Sequence, residues 1–218
     1  MHRSRLAWLA SCIALVIGCG SDTDGSGGTG GTGVSVGPVD ITGAAHKGPL
    51  VLGSSVQVAM LDRAGNPTGR VFNTTTDTDL GEFELVVATP GDAELIATGF
   101  YFNEASGELS GAPITLHALA AIQSSGSQSS YLNIVTHMGY RRAMQLRQEG
   151  GTLPDAVAQA ETELRAELGI VCPGSTPSAG TSMNILGGDT PDNCLLYTSD
   201  AADENRVVGG GGGGGGGG

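Results

Sequence analysis

Apolar and polar residues alternate with period two through the middle of the chain, a pattern typical of β-strands with one buried face. Ile114 and Leu116 begin the last strand of this kind. Short turn signals rich in Gly, Pro, Asn and Asp separate the strands. The alternating apolar positions that precede this last strand are Val56, Val58, Met60, Phe83, Leu85 and Val87. We therefore expect residues 38–120 to form a small antiparallel Greek-key β-sandwich.

The period becomes helical after Leu119. Residues 123–130 are polar and rich in Ser, so we expect a connector there. Apolar residues then recur every three or four positions in 131–149 and again beyond Thr152. The two stripes are Leu132, Val135, Gly139, Ala143 and Leu146, then Val157, Ala160, Leu164 and Leu168. These patterns predict two helices within a helical region over 121–193, so the fold class is β followed by α in series.

The ends of the predicted helices carry their own signals. Gly150 and Gly151 end the first helix, and two helices joined so closely are expected to pair antiparallel. Thr152 and Asp155 fit a capping box at the start of the second helix. Glu161 and Arg165 form an i,i+4 pair on it, and Gly169 followed by Ile170 predicts a left-handed cap.

The first eighteen residues read as a bacterial signal peptide. A basic start with Arg3 and Arg5 precedes about twelve mostly apolar residues, a length that suits a signal core and is too short for a membrane span. The stretch Val16-Ile17-Gly18-Cys19 resembles a lipobox, which implies cleavage before Cys19 and acylation of its thiol. Cys12 would be removed with the signal peptide.

Residues 19–37 follow as the lipidated Cys and a Gly-rich linker, whose composition predicts a flexible tether. Gly20, rather than Asp, comes after Cys19. In some Gram-negative bacteria an Asp there retains lipoproteins at the inner membrane. We therefore expect a cell-envelope lipoprotein at the outer membrane. It could face either the periplasm or the cell surface.

Residues 194–218 read as a non-native tail. Cys194 to Glu204 resembles the in-frame translation of a transposase sequencing adapter, and unbroken glycine runs from Gly209 to Gly218. A run of G base calls would encode such glycine, whereas the alternative is a genuine low-complexity tail. We expect the natural reading frame to depart near Asn193, which leaves the helical region incomplete.

The charge balance narrows the class of partner. The chain has 22 acidic and 10 basic residues and a formal net charge of −12. Nucleic-acid affinity comes largely from Lys and Arg neutralising phosphates, so this balance argues against a nucleic-acid partner. It also argues against electrostatic docking on anionic lipid. The expected membrane contact is the lipid on Cys19, and an unidentified protein or glycan partner stays open.

Short motifs in the β region resemble carboxypeptidase regulatory-like, transthyretin-like domains. They are Ile41-Thr42-Gly43, Gly48-Pro49-Leu50, Ser55-Val56-Gln57-Val58, Thr75 to Phe83, and Ala97-Thr98-Gly99-Phe100. The resemblance covers about residues 38–120. It implies a seven-strand Greek-key sandwich that is usually an accessory or adhesive module.

The helical part is similar to a group of uncharacterised bacterial surface lipoproteins that join such a sandwich to a helical domain. The motifs that carry this likeness are Asn133 to His137, Ala156 to Glu161, Leu168-Gly169-Ile170, Met183 to Gly188 and Asp192-Asn193. The group has no settled activity. The resemblance therefore implies architecture and location, with a further helix expected after residue 193.

Asp77, Asp79 and Glu82 are the candidate metal ligands, because carboxylate oxygens suit Ca²⁺. Their spacing misses the EF-hand pattern, since Gly81 falls at the fifth position. The alternative is a tight hairpin turn in which Gly81 supplies a positive φ. We favour the turn, and no cofactor is expected.

Catalytic candidates are sparse. His137 is the most tempting, yet it has no nucleophile partner at a recognised spacing, and His46 and His117 look equally isolated. No phosphate loop, nucleophile elbow or zinc-binding His motif occurs. Cys172 is either a lone thiol or half of a disulfide to a missing Cys. No catalytic residue is therefore predicted.

Two functional hypotheses follow. The first is a lipid-anchored, non-enzymatic binding or assembly module of the cell envelope. The second is an accessory region of an envelope enzyme whose catalytic domain lies downstream. Sugar binding on the sandwich is a weaker third possibility, because stacking aromatics are scarce: four Phe, four Tyr and one Trp, with Trp8 inside the signal peptide.

Overall fold

The computed structural model describes residues 37–103, 106–168 and 179–187. All of them belong to one compact unit, Val34–Gly218. The predictions for the signal peptide, Cys19, Cys172 and residues 194–218 lie outside the described residues. Among the described residues, no helix is long and apolar enough to cross a membrane.

Ten strands precede two helices in the described part of the chain. The strands are β1 (Val39–His46), β2 (Ser55–Leu61), β3 (Pro67–Thr75), β4 (Glu82–Val87), β5 (Gly91–Gly99), β6 (Phe102–Asn103), β7 (Glu108–Leu109), β8 (Ile114–Ile122), β9 (Gly126–Ser129) and β10 (Leu132–Asn133). The helices are α1 (Ile134–Gln148) and α2 (Leu153–Leu168), with a 3₁₀ turn at Gly180–Ser182. The predicted order, β then α in series, is confirmed.

Two four-stranded sheets form the sandwich. In the first sheet, β1 pairs antiparallel with β4 and parallel with β9 and β10. The second has the antiparallel order β3-β2-β5-β8. Strands β2, β3 and β4 follow one another, with β4 in contact with β3 from the opposite sheet, and β5 returns beside β2. This path is a Greek key.

The core lies between the two sheets, and the alternating positions point into it. All six alternating residues of β2 and β4 are buried, along with Leu116 of β8. Ile114 is half-buried and packs against the same core. The buried faces that the period-two pattern predicts for β2 and β4 are therefore confirmed.

The polar segment 123–130 is not a simple connector, because its second half is β9. Residues 39–42 of β1 pair in parallel with 126–129, so the backbone groups are satisfied by a sheet ladder. The Gln128 amide adds a hydrogen bond to the carbonyl of Ala121 at 3.1 Å. β8 also continues to Ile122. The strands thus extend past residue 120, the predicted end of the sandwich.

The two helices pack on each other and on the second sheet. A single cluster joins strand and helix residues: Leu61, Leu119, Ala143, Leu153 and Ala160. Arg147, in the last turn of α1, adds a half-buried ion pair with Asp92 of β5 at 2.7 Å. The short link at 149–152 contains Gly150 with φ of 103° and turns the chain back, as predicted.

Candidate functional site

The predicted metal ligands lie in the turn between β3 and β4. Oδ1 of Asp79 accepts a hydrogen bond from the backbone N–H of Leu52 at 3.0 Å. The Thr78 hydroxyl donates to Oε2 of Glu82 at 2.9 Å. Gly81 has φ of 72°, and a Cβ there would lie 2.5 Å from the carbonyl oxygen of Ala45. These contacts describe the tight turn that was the alternative to a Ca²⁺ loop.

Metal-ligating side chains do not converge within the described residues. No group of three or more His, Cys, Asp or Glu there could hold a metal ion. The backbone N–H of Asp77 donates a hydrogen bond to the carbonyl oxygen of Glu82 at 2.7 Å, which helps to close the turn.

Three segments meet at one end of the sandwich, which we call the apex: residues 47–54, residues 76–81, and residues 100–103 with 106–113. Backbone hydrogen bonds tie them together, from Val51 to Phe100 at 2.9 Å and from Gly53 to Thr76 at 3.0 Å. A third runs from the N–H of Phe102 to the carbonyl of Pro49 at 3.1 Å. β1 ends beside the apex, where His46 contacts Leu80, and begins at the other end of the sandwich.

The apex carries exposed apolar side chains on all three segments. They are Leu52 (59% exposed), Leu80 (49%), Phe100 (44%), Phe102 (41%) and Leu109 (59%). Phe102 and Leu109 are direct partners in the β6–β7 pair. Lys47 places its ammonium 5.2 Å from the ring centroid of Tyr101. Exposed apolar groups gathered at one place commonly mark an interaction surface.

The sequence has few aromatic residues, which made sugar binding on the sandwich the weakest of the functional hypotheses. The structure shows that three consecutive ones, 100–102, stand together at the apex. Tyr101 packs toward the core, and its two neighbours are exposed.

The histidines that looked isolated are not. Nδ1 of His117, on β8, lies 2.8 Å from Oε1 of Glu94 on β5. The His117 ring stacks on His137 and on Tyr140 of α1, with centroids 5.6 and 4.7 Å apart. The interpretation of isolated His117 and His137 was therefore wrong, because residues 20 or more apart in sequence meet where α1 crosses the sheet.

This cluster is chiefly an attachment of α1 to the second sheet. Glu94 is only 8% exposed, so its carboxylate needs the partners it has. Burial, together with the hydrogen bond to Glu94, raises the pKa of Tyr140 to about 12. The phenol therefore stays protonated and can donate to the carboxylate.

His46 behaves differently from the other two. It is 1% exposed at the end of β1, and its Nε2 lies 3.1 Å from the carbonyl oxygen of Leu80. Burial lowers its pKa, which favours a neutral imidazole that donates to this carbonyl. It therefore holds the β3–β4 turn against the first sheet.

Glu161, predicted to pair with Arg165 along α2, is a buried acid. Its side chain is 3% exposed, and Oε1 accepts from the N–H of Gly180 at 2.9 Å. Burial is the main reason why its pKa is raised, and the charge of Arg165 partly opposes the shift. The charge of Arg165, the predicted i,i+4 partner, therefore still acts on Glu161, while the carboxyl accepts its hydrogen bond from the 3₁₀ turn.

Comparisons with known proteins do not assign this arrangement to a family. No protein-family model matches the chain, and no curated protein matches it. Among solved structures, a 9R-lipoxygenase from Cyanothece PCC8801 gives a weak match with 13% sequence identity and a TM-score of 0.19. The match covers 63% of this chain and 26% of the lipoxygenase, and so low a score carries no argument.

Proposed function

We propose that this protein is a lipid-anchored component of the bacterial cell envelope that acts as a non-catalytic binding or assembly module. The lipobox-like segment supports attachment through Cys19 at the outer membrane. The apex supports the binding role, and it is the observation that carries the proposal.

The apex is a surface that the fold itself holds in shape. Its apolar residues occur on segments fastened to one another by hydrogen bonds, so the surface is held in place before a partner arrives. Preorganisation of this kind lowers the entropy cost of association.

Anchoring is tested by metabolic labelling with a palmitate analogue in a Gram-negative host. We expect labelled, membrane-associated protein from the wild-type chain and from Cys12→Ser, and none from Cys19→Ser. Cys12→Ser is the matched control, because it changes a thiol that is removed with the signal peptide. Equal labelling of Cys19→Ser would contradict the anchor.

Binding at the apex is tested by photo-crosslinking in cells. A photoreactive phenylalanine analogue at Leu109 is expected to give discrete adducts with another envelope component. The same analogue at Val86, which is 53% exposed on β4 away from the apex, is the control. Identical adduct patterns from the two positions would rule out a specific apical surface.

A further inference from the structure

A groove runs beside strands β1 and β4, bounded by the apex segment 76–81 at one end and by residues 184–186. Its volume is about 560 Å³, which lies within the range of ligand pockets. β1 and β4 form one wall, with Thr42 opposite Glu84 and Ala44 opposite Glu82 in the ladder. The β3–β4 turn forms a second wall.

The lining combines carboxylates with exposed apolar groups. Asp77, Glu82 and Glu84 supply the acids, and all three are exposed. Leu80 and Leu186 stand on the rim, 49% and 43% exposed. Among the described lining residues there is no Lys or Arg. Within the described chain, the carboxylates of Asp77 and Glu84 make no hydrogen bond or ion pair, so both are available to a ligand.

We propose that this groove binds a segment of a protein partner that carries Lys or Arg beside an apolar residue. The inference rests on the proposed binding function and names its partner chemistry. Charge complementarity selects a basic segment, and the rim leucines select an apolar neighbour. A second copy of this chain, with a formal net charge of −12, is disfavoured by repulsion.

The groove is ready to receive such a segment because its turn is held from several sides. Asp79 accepts from Leu52, and His46 contacts the carbonyl oxygen of Leu80. Neither contact uses the carboxylates of Asp77 or Glu84. A ligand can therefore pair with these two acids without undoing the turn.

The test is selection from a random dodecapeptide phage library against the purified full chain, followed by affinity measurement on the selected peptides. We expect enrichment of Lys or Arg next to apolar residues, and affinity that falls with salt because exposed charges are screened. The variant Asp77→Lys with Glu84→Lys should bind about tenfold more weakly or worse. Asp40→Lys with Glu167→Lys makes the same change in net charge at exposed acids outside the groove, and should bind like wild type.

The outcomes separate this inference from the broader proposal. Peptides that lose affinity with Leu109→Ser but not with the Asp77/Glu84 variant would overturn the groove and leave the apex as the binding surface. Selection of acidic or uncharged peptides, or glycan-array binding that the Asp77/Glu84 variant abolishes, would overturn the basic-segment assignment. If no peptide depends on either surface, both proposals fail.

Discussion

At the scale of single residues, Gly43 shows how closely the first sheet is packed. A Cβ at this position would overlap the backbone oxygen of Ser130 and lie 2.8 Å from Cζ of Phe83. Gly43→Ala should therefore lower the free energy of unfolding by about 1–3 kcal/mol, the usual cost of overpacking. Urea denaturation measures the change.

Gly111→Ala is the matched control for this prediction. Nothing lies within 4 Å of a Cβ at Gly111, so we expect a change within about 0.5 kcal/mol. Equal stabilities of the two variants would show that Ser130 can move away from Gly43.

Glu161 predicts a pH dependence of stability. Below its ordinary pKa of 4.5 the carboxyl is protonated in both folded and unfolded states. As the pH rises from 4.5 through the raised pKa of the folded state, ionisation favours unfolding. Wild type should therefore lose stability relative to Glu161→Gln over this window, measured by urea denaturation at a series of pH values.

Glu163 on the same helix should show the opposite sign. Hydrogen bonds from Arg142 and Gln159 lower its pKa to about 2. The Glu163 carboxylate therefore stabilises the fold above pH 4.5, and this stabilisation is lost as the pH falls toward 2. The stability of wild type relative to Glu163→Gln should therefore increase as the pH rises from about 2 to 4.5 and stay constant above pH 4.5. Parallel profiles for the two Gln variants would contradict the assigned burial of Glu161.

At the scale of elements, the start of α1 is the most heavily connected helix end. The Asn133 side chain accepts from Thr136 N–H at 3.0 Å and donates to the carbonyls of Gly180 and Met183. Asn133→Ala should lower the free energy of unfolding by about 2–4 kcal/mol. This loss exceeds that of an ordinary N-cap substitution, because two buried carbonyls also lose their donor. Thermal or urea unfolding checks this value.

Thr152 is the comparison cap, since it starts α2 at an exposed site. Its hydroxyl accepts from Asp155 N–H at 3.3 Å. Thr152→Ala should lower the free energy of unfolding by about 1 kcal/mol. A larger loss at Thr152 than at Asn133 would mean that the contacts to residues 180–183 contribute little.

Elements with a strong period could be predicted from sequence, and the others could not. Helix α2 and the strands of 56–60 and 83–87 lie where their patterns placed them. On α2, only Ala160 of the predicted stripe is fully buried, beside Leu153, Ala156 and Glu161. β9 was missed because it is an exposed edge whose residues are polar on both faces, which leaves no alternation to detect. Helix α1 begins at Ile134 instead of Tyr131, because β10 and the Asn133 cap take the preceding residues.

At the scale of the whole molecule, the helices and the second sheet share one cluster of buried residues. Leu61 and Leu119 have their apolar partners on α1 and α2. We therefore expect a single cooperative transition. Hydrogen exchange across a urea series should give the same midpoint for peptides from β8 and from α2.

An earlier midpoint for α2 would contradict this prediction and indicate that the sandwich folds without the helices. Leu153→Ala offers a second check, because Leu153 is 2% exposed within the shared cluster. Loss of the Leu153 side chain should shift the unfolding transitions of the β8 peptide and the α2 peptide together.

The sequence by itself determined the order of strands and helices, the faces that the strands bury, and the acidic character of the chain, because periodicity and charge are local properties. Only the tertiary structure decided that His117 meets Glu94, that Glu161 is buried, and that exposed leucines and phenylalanines share one apex. Those pairings join residues far apart in the chain. They depend on how strands cross between sheets, which no local pattern records.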